Sequence, residues 1–144
     1  MSLEVGLESG PGSGVGEDPS GRTGGEDVTW HDVCLLSDLS RERGAAALLD
    51  GVQVAVFRTH DDRVHAVQQL DPYSGANVMS RGIVGSRGDR PTVASPMYKQ
   101  VFDLRTGECL DPVGREPQSL QPYAVRVLRD VVSIALPTAL GRDR

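Results

Sequence analysis

The side chains that could hold a metal or act as nucleophiles are few. Two cysteines, Cys34 and Cys109, and three histidines, His31, His60 and His65, are the soft donors. His31 and Cys34 form an H-x-x-C pair. A metal needs three or four ligands, and the other three donors make no second close pair. If Val28–Cys34 is extended, positions three apart also point to opposite faces. The expectation is a strand histidine and a buried thiol, with no metal held there. His60-Asp61-Asp62 reads as a solvated hairpin tip, and His65 stands alone on a strand face. There is no G-x-S-x-G elbow, and no cysteine has a visible histidine–carboxylate arrangement. Asp103, Glu108 and Asp111 surround a turn, where charges are ordinarily hydrated. Arg87-Gly88-Asp89 is sound turn chemistry ahead of Arg90-Pro91. The early glycines do not fit G-x-G-x-x-G or a phosphate loop.

The elements around these groups read as β. The 144 residues allow one domain. Residues 1–27 hold eight glycines, six acids and one base, and therefore the entire net charge of −5, leaving fourteen acids and fourteen bases in 28–144. Such a Gly-rich acidic stretch is expected to be a disordered leader, because it has too little apolar surface to offset ordering entropy. It has neither the basic start nor the apolar stretch of a secretory signal, so the expected compartment is the cytoplasm and the thiols are expected reduced. A neutral core has no electrostatic footprint for nucleic acid or a membrane surface, and no run approaches the ~20 apolar residues of a membrane helix.

From Val28 onward, short β-rich runs alternate with turn signals. Expected strands are Val28–Cys34, Ala45–Leu49 and Val52–Thr59 flanking Asp50-Gly51, then Val64–Gln69, Thr92–Ala94, Gln100–Leu104 and Glu108–Leu110. Tyr123–Leu128 and Val131–Leu136 form a last hairpin across Arg129-Asp130. Leu36–Gly44 is a polar connection with room for one helical turn. Leu70–Gly88 reads as loop with a short strand at Ile83-Val84, and Asp111–Pro122, with three prolines and a glycine, as a long loop. The pattern implies an all-β fold, an antiparallel β-sandwich or small barrel over 28–137, with a flexible tail at 138–144.

Two segments stand out. One is Asp71-Pro72-Tyr73-Ser74-Gly75-Ala76-Asn77-Val78-Met79-Ser80-Arg81-Gly82. The other runs Ala94-Ser95-Pro96-Met97-Tyr98-Lys99-Gln100-Val101-Phe102-Asp103-Leu104-Arg105-Thr106-Gly107-Glu108. The second resembles the second cluster loop of Rieske proteins, Cys-Pro-x-His-x-x-x-Phe-Asp followed by a Thr-Gly turn, and the first resembles their Cys-Pro-His loop. The resemblance covers about 28–136 and implies two loops apposed at one end of the β domain. The four ligand positions depart from it. A Rieske centre binds [2Fe–2S] with two cysteines and two histidines. The corresponding positions here are Asp71, Tyr73, Ser95 and Tyr98, hard oxygen groups unsuited to such a cluster.

A Rieske scaffold with degenerate ligands resembles the small subunits of cytoplasmic NAD(P)H-dependent assimilatory nitrite reductases. That resemblance implies a large catalytic subunit as partner, which carries FAD, an iron–sulfur cluster and siroheme and reduces nitrite to ammonium. This chain would hold no cofactor and no catalytic residue. Without a cluster, a polar clasp is expected to tie the loops, with Asp71 accepting hydrogen bonds from Ser95, Tyr98 or loop N–H groups, and Pro72 and Pro96 limiting the conformations. The tip is where partners of Rieske proteins dock. Tyr73, Met79, Met97 and Tyr98 would supply pliable and aromatic contacts, with Arg81 and Lys99 as charged anchors. An inward fold of Tyr73 and Tyr98 is the alternative. Other readings of the whole chain are a self-sufficient Rieske-type electron carrier and a binding module with no redox partner.

Overall fold

The computed structural model describes residues 27–138. The expected leader, apart from Asp27, and the expected tail, apart from Thr138, lie outside the described residues. Eleven strands occur in chain order: β1 (Val28–Leu35), β2 (Arg43–Leu49), β3 (Val52–Arg58), β4 (Val64–Gln68), β5 (Ile83–Arg87), β6 (Arg90–Ala94), β7 (Val101–Asp103), β8 (Cys109–Asp111), β9 (Pro122–Tyr123), β10 (Val125–Leu128) and β11 (Val131–Pro137). Single 3-10 turns lie at Leu36–Asp38 and Met79–Arg81. The strands form three sheets, in orders β1-β11-β10, β2-β3-β4-β9 and β5-β6-β7-β8, and neighbouring strands are antiparallel throughout. The all-β expectation holds.

The chain divides into two compact units. Among the described residues, the smaller holds 27–38 and 124–138; the larger is Leu39–Tyr123. In the smaller, β1 and β10 flank β11, and the β10–β11 hairpin turns through Arg129 and Asp130, both at positive φ, as a two-residue primed turn requires. Arg126 lies 4.1 Å from the centre of the Trp30 ring.

The larger unit contains both loops. Its first hairpin turns through Asp50 and Gly51, both at positive φ, so β2 and β3 pair without slippage from Arg43↔Arg58 to Leu49↔Val52. Val54, Ala55, Val56 and Phe57 are all buried, so β3 is covered on both faces. Ala55 and Phe57 join Val67, Met79, Val93, Phe102, Leu104 and Leu120 in one apolar cluster. It unites residues of both four-stranded sheets, and each fully buried Phe is worth about 1.5–3 kcal/mol.

Two loop expectations change. Ile83–Arg87 and Arg90–Ala94 form a hairpin longer than the short strand expected at Ile83-Val84, with Gly88 at φ 62° as the first turn residue. The arm Gly-Ser-Arg has weak strand propensity, and cross-strand pairing overrides it. Arg87-Gly88-Asp89 is thus the hairpin's end. The loop after Leu70 returns to the core through a side chain: the Gln69 amide accepts from Ser80 N at 2.7 Å and donates to Ser80 Oγ at 2.9 Å.

Gly107 has φ 79°, and a Cβ there would run into the backbone carbonyl of Leu120. Gly51 has φ 81° but open space around it. Gly107→Ala is therefore expected to lose roughly 2 kcal/mol or more, combining backbone strain with displacement of Leu120, against about 1 kcal/mol for Gly51→Ala. Urea unfolding of the two variants checks the difference.

Candidate functional site

Each loop closes on its own backbone. Asp71 N donates to Ala76 O at 2.8 Å, and Gly75 N to Asp71 O at 2.8 Å. Tyr73 N donates to Asp71 Oδ1 at 2.9 Å. The second loop repeats this: Ser95 N to Gln100 O at 2.9 Å, Lys99 N to Ser95 O at 3.1 Å, and Met97 N to Ser95 Oγ at 3.1 Å. A third loop does the same from Asp103: Asp103 N to Glu108 O at 2.8 Å, Gly107 N to Asp103 O at 2.7 Å, and Arg105 N to Asp103 Oδ1 at 2.7 Å. The fifth residue of each, Gly75, Lys99 and Gly107, has positive φ. A short oxygen-bearing side chain at the first position is what this closure uses, as in Asx and Ser/Thr turns.

The first two loops are tied together by Asp71 and Ser95, the side chains that the Rieske resemblance matches to cysteines. Ser95 Oγ donates to Asp71 Oδ2 at 2.7 Å, and Ser74 Oγ donates to the same oxygen at 3.0 Å. Asp71 and Ser95 are 0% and 1% exposed. Among the described residues no cation pairs with Asp71, so its buried oxygens rest on hydroxyls and an amide. This clasp contains the Ser95 and N–H partners expected of it; Tyr98 takes no part.

The two positions matched to histidines diverge. The Tyr73 ring packs against the apolar cluster while its hydroxyl reaches the loop before β9, donating to Glu116 O at 2.7 Å and accepting from Gln118 N at 2.8 Å. It lies 3.6 Å from Cys109 Sγ, and its ring centre is 6.3 Å from that of Phe102. Desolvation first, then the Cys109 contact, pushes the phenol's ionisation above its ordinary value, so it stays protonated. Tyr98 is half exposed, with Arg115 stacked 5.0 Å from its ring centre. Both tyrosines thus engage one segment, Arg115–Gln118. Sequence reading missed that segment: three prolines and a glycine signalled only a loop.

Of the docking candidates, Arg81, Met97, Tyr98 and Lys99 are exposed. Tyr73 is half-buried, with its hydroxyl bonded to the backbone of Glu116 and Gln118. Met79 is fully buried in the apolar cluster and offers no surface contact, because the 3-10 turn it begins is drawn onto the core by the Gln69–Ser80 hydrogen bonds. His31 lies in β1 opposite Ile134, and His60 donates its backbone N–H to Glu42. Cys34 is pushed up from its ordinary value by burial and then by Asp38, so it is a thiol. No three His, Cys, Asp or Glu groups converge to hold a metal among the described residues.

A [2Fe–2S] group does not fit these loops. The side chains at the cysteine positions are bonded to each other. One phenol is committed to a backbone segment and the other faces solvent under a guanidinium. None is a thiolate or an imidazole.

Residues 29–135 match the family described as Rieske-like [2Fe-2S] domain. The chain is 39% identical over 106 residues to the nitrite reductase (NADH) small subunit of Escherichia coli (strain K12), across 73% of this chain and 95% of that protein. It is 38% identical over 113 residues to the nitrite reductase [NAD(P)H] large subunit of Klebsiella oxytoca, across 78% of this chain but only 11% of that protein. The fold superposes with a TM-score of 0.71 on the crystal structure of a Mycobacterium tuberculosis chain described as a candidate NADH-dependent nitrite reductase small subunit, at 46% identity, covering 77% of this chain and 97% of the other. With its strands, its two apposed loops and its replaced ligand positions all accounted for, this chain belongs to the Rieske-like family, in the group of nitrite reductase small subunits.

Proposed function

We propose that this chain is the accessory subunit of an NAD(P)H-dependent nitrite reductase complex in the cytoplasm, docked on a large catalytic subunit that reduces nitrite to ammonium. FAD, the iron–sulfur cluster and siroheme belong to that large subunit, and this chain supports assembly or electron flow without a redox group of its own. The observation that carries the reading is the 2.7 Å hydrogen bond between Asp71 and Ser95, the two residues that the Rieske resemblance matches to cluster cysteines. The Klebsiella relative supports the partnership. A stretch similar to this chain makes up 11% of a protein that is itself named a large subunit.

The exposed loop tip, with Met97, Tyr98, Lys99 and Arg81, is the proposed docking face. Its mixture of pliable apolar, aromatic and cationic groups suits an interface. The test is affinity purification of this chain from native extract. The expected result is a co-purifying large chain with a siroheme absorption spectrum, together with isolated small subunit that is colourless and iron-free. Stoichiometric iron and labile sulfide in the isolated chain would favour the self-sufficient electron carrier. A colourless chain that captures no siroheme protein would favour the binding module without a redox partner.

A further inference from the structure

Ten cations lie between Leu39 and Tyr123. Arg41, Arg58, Arg63, Arg87, Arg90 and Arg105 are ion-paired. Arg81, Lys99 and Arg115, all on loops or turns, have no carboxylate within ion-pair distance among the described residues; Arg43 on β2 is the fourth so placed. Two of the unpaired cations flank one aromatic ring. Lys99 follows Tyr98 in the chain, and the Arg115 guanidinium stacks on the Tyr98 ring at 5.0 Å. Met97 and Tyr98 are 46% and 45% exposed, and Val113 is exposed two residues before Arg115. A guanidinium stacked on a half-exposed ring keeps its edge N–H groups available for carboxylates. Apolar area fringed by uncompensated positive charge is complementary to an apolar depression edged with acids.

The segment bearing Arg115 is held from behind. Tyr73 fixes it with two hydrogen bonds, at 2.7 and 2.8 Å, and Leu120 N donates to Gly107 O at 2.8 Å, anchoring its far end. So the platform is built from two segments, and the Tyr73 hydroxyl sets where one of them sits. Fixing a contact segment before association lowers the ordering cost of binding.

We infer that Arg115, Tyr98 and Lys99 form a cationic–aromatic contact platform for a carboxylate-edged surface of the large subunit, with Tyr73 as the residue that positions Arg115. This rests on the accessory-subunit reading and adds to it a segment, a partner chemistry and a positioning role.

The experiment titrates purified full-length chain onto the purified large subunit at two salt concentrations, with Arg115→Glu, Lys99→Glu and Tyr73→Phe beside wild type. The expected result is that each charge reversal weakens binding by about tenfold or more, that wild-type affinity falls with added salt, and that the thermal midpoints of both reversals match wild type. For Tyr73→Phe, hydrogen exchange is expected to quicken at the Gln118 amide while the Leu120 amide stays protected, with weakened binding that loses part of its salt dependence. Wild-type-like binding by both folded charge-reversal variants would overturn the platform and leave the accessory-subunit reading standing. Unchanged exchange at Gln118 in Tyr73→Phe would overturn the positioning role. Failure of wild type to bind the large subunit would overturn platform and accessory reading together.

Discussion

Asp71→Ala is expected to lose roughly 3–4 kcal/mol of folding stability, a large share of the total for a domain of this size. Asp71, itself 0% exposed, accepts the Ser95 and Ser74 hydroxyls at Oδ2 and Tyr73 N at Oδ1, the Ser95 bond being fully buried and the other two partly so. Hydrogen bonds to a charged acceptor contribute about 1.5–3 kcal/mol each, less when they share one group, and the alanine leaves two hydroxyls and an amide without their acceptor. Ser95→Ala is expected to cost less, about 1–2 kcal/mol, because Asp71 keeps two donors. The double variant should cost less than the sum, since the pair shares the 2.7 Å bond. Urea unfolding of the four proteins measures the cycle. A loss below about 1 kcal/mol for Asp71→Ala would show that the clasp does not hold the loops. An added chelator is expected to leave the wild-type midpoint unmoved, and a drop would mean that a metal shares the task.

His65 governs the second prediction. It lies on β4 opposite Phe57, and its buried Nε2 has no hydrogen-bond partner in the protein. Desolvation, reinforced by Arg63 and Arg105 against the opposing pull of Asp61 and Asp103, lowers its pKa from 6.5 to about 4. Between these values the unfolded chain takes up a proton that the folded chain refuses. Stability therefore falls as pH drops from 6.5 and levels off below about 4, a loss from this group of about 3 kcal/mol. His65→Phe is expected to flatten that slope. Asp62 acts in a separate, more acidic window. Its hydrogen bond and charge pairing with Arg41, then those with Arg58, outweigh desolvation and hold it at about 2, so its contribution is present above 3.8 and fades as pH falls through about 2. Denaturant midpoints measured from pH 8 down to about 2 distinguish the two, the His65 slope lying above pH 4 and the Asp62 slope below it. An equal slope in His65→Phe would remove His65 from the account.

Much of this molecule is visible in its residues, for identifiable reasons. Asp50-Gly51 states its own turn, because positive φ at two successive positions leaves little choice of pairing. The loop positions 71, 73, 95 and 98 are legible because Pro72, Pro96 and the Phe102-Asp103 pair keep the spacing of a familiar frame. The bond between Asp71 and Ser95 follows once those loops face one another. What residues alone do not reveal depends on contacts across long separations. Tyr73 reaches Gln118 over 45 positions, and nothing around Glu116 marks it as a phenol's acceptor. Met79 sits in a stretch without period, so its burial depends on the Gln69 amide gathering Ser80. The hairpin of β5 and β6 hides behind Gly-Ser-Arg, residues that pair well enough once a neighbouring strand supplies the partner.

The thrice-repeated loop closure carries an evolutionary consequence. At Asp71, Ser95 and Asp103 the ring is sealed by main-chain bonds, and within its own loop each leading side chain accepts from the amide two places on, apart from the link between Asp71 and Ser95. A thiolate, a hydroxyl and a carboxylate can all serve as that acceptor. Within this chain the same main-chain closure is headed by either aspartate or serine. A loop of this kind can therefore change the chemistry at its head over time while the shape it presents stays constant.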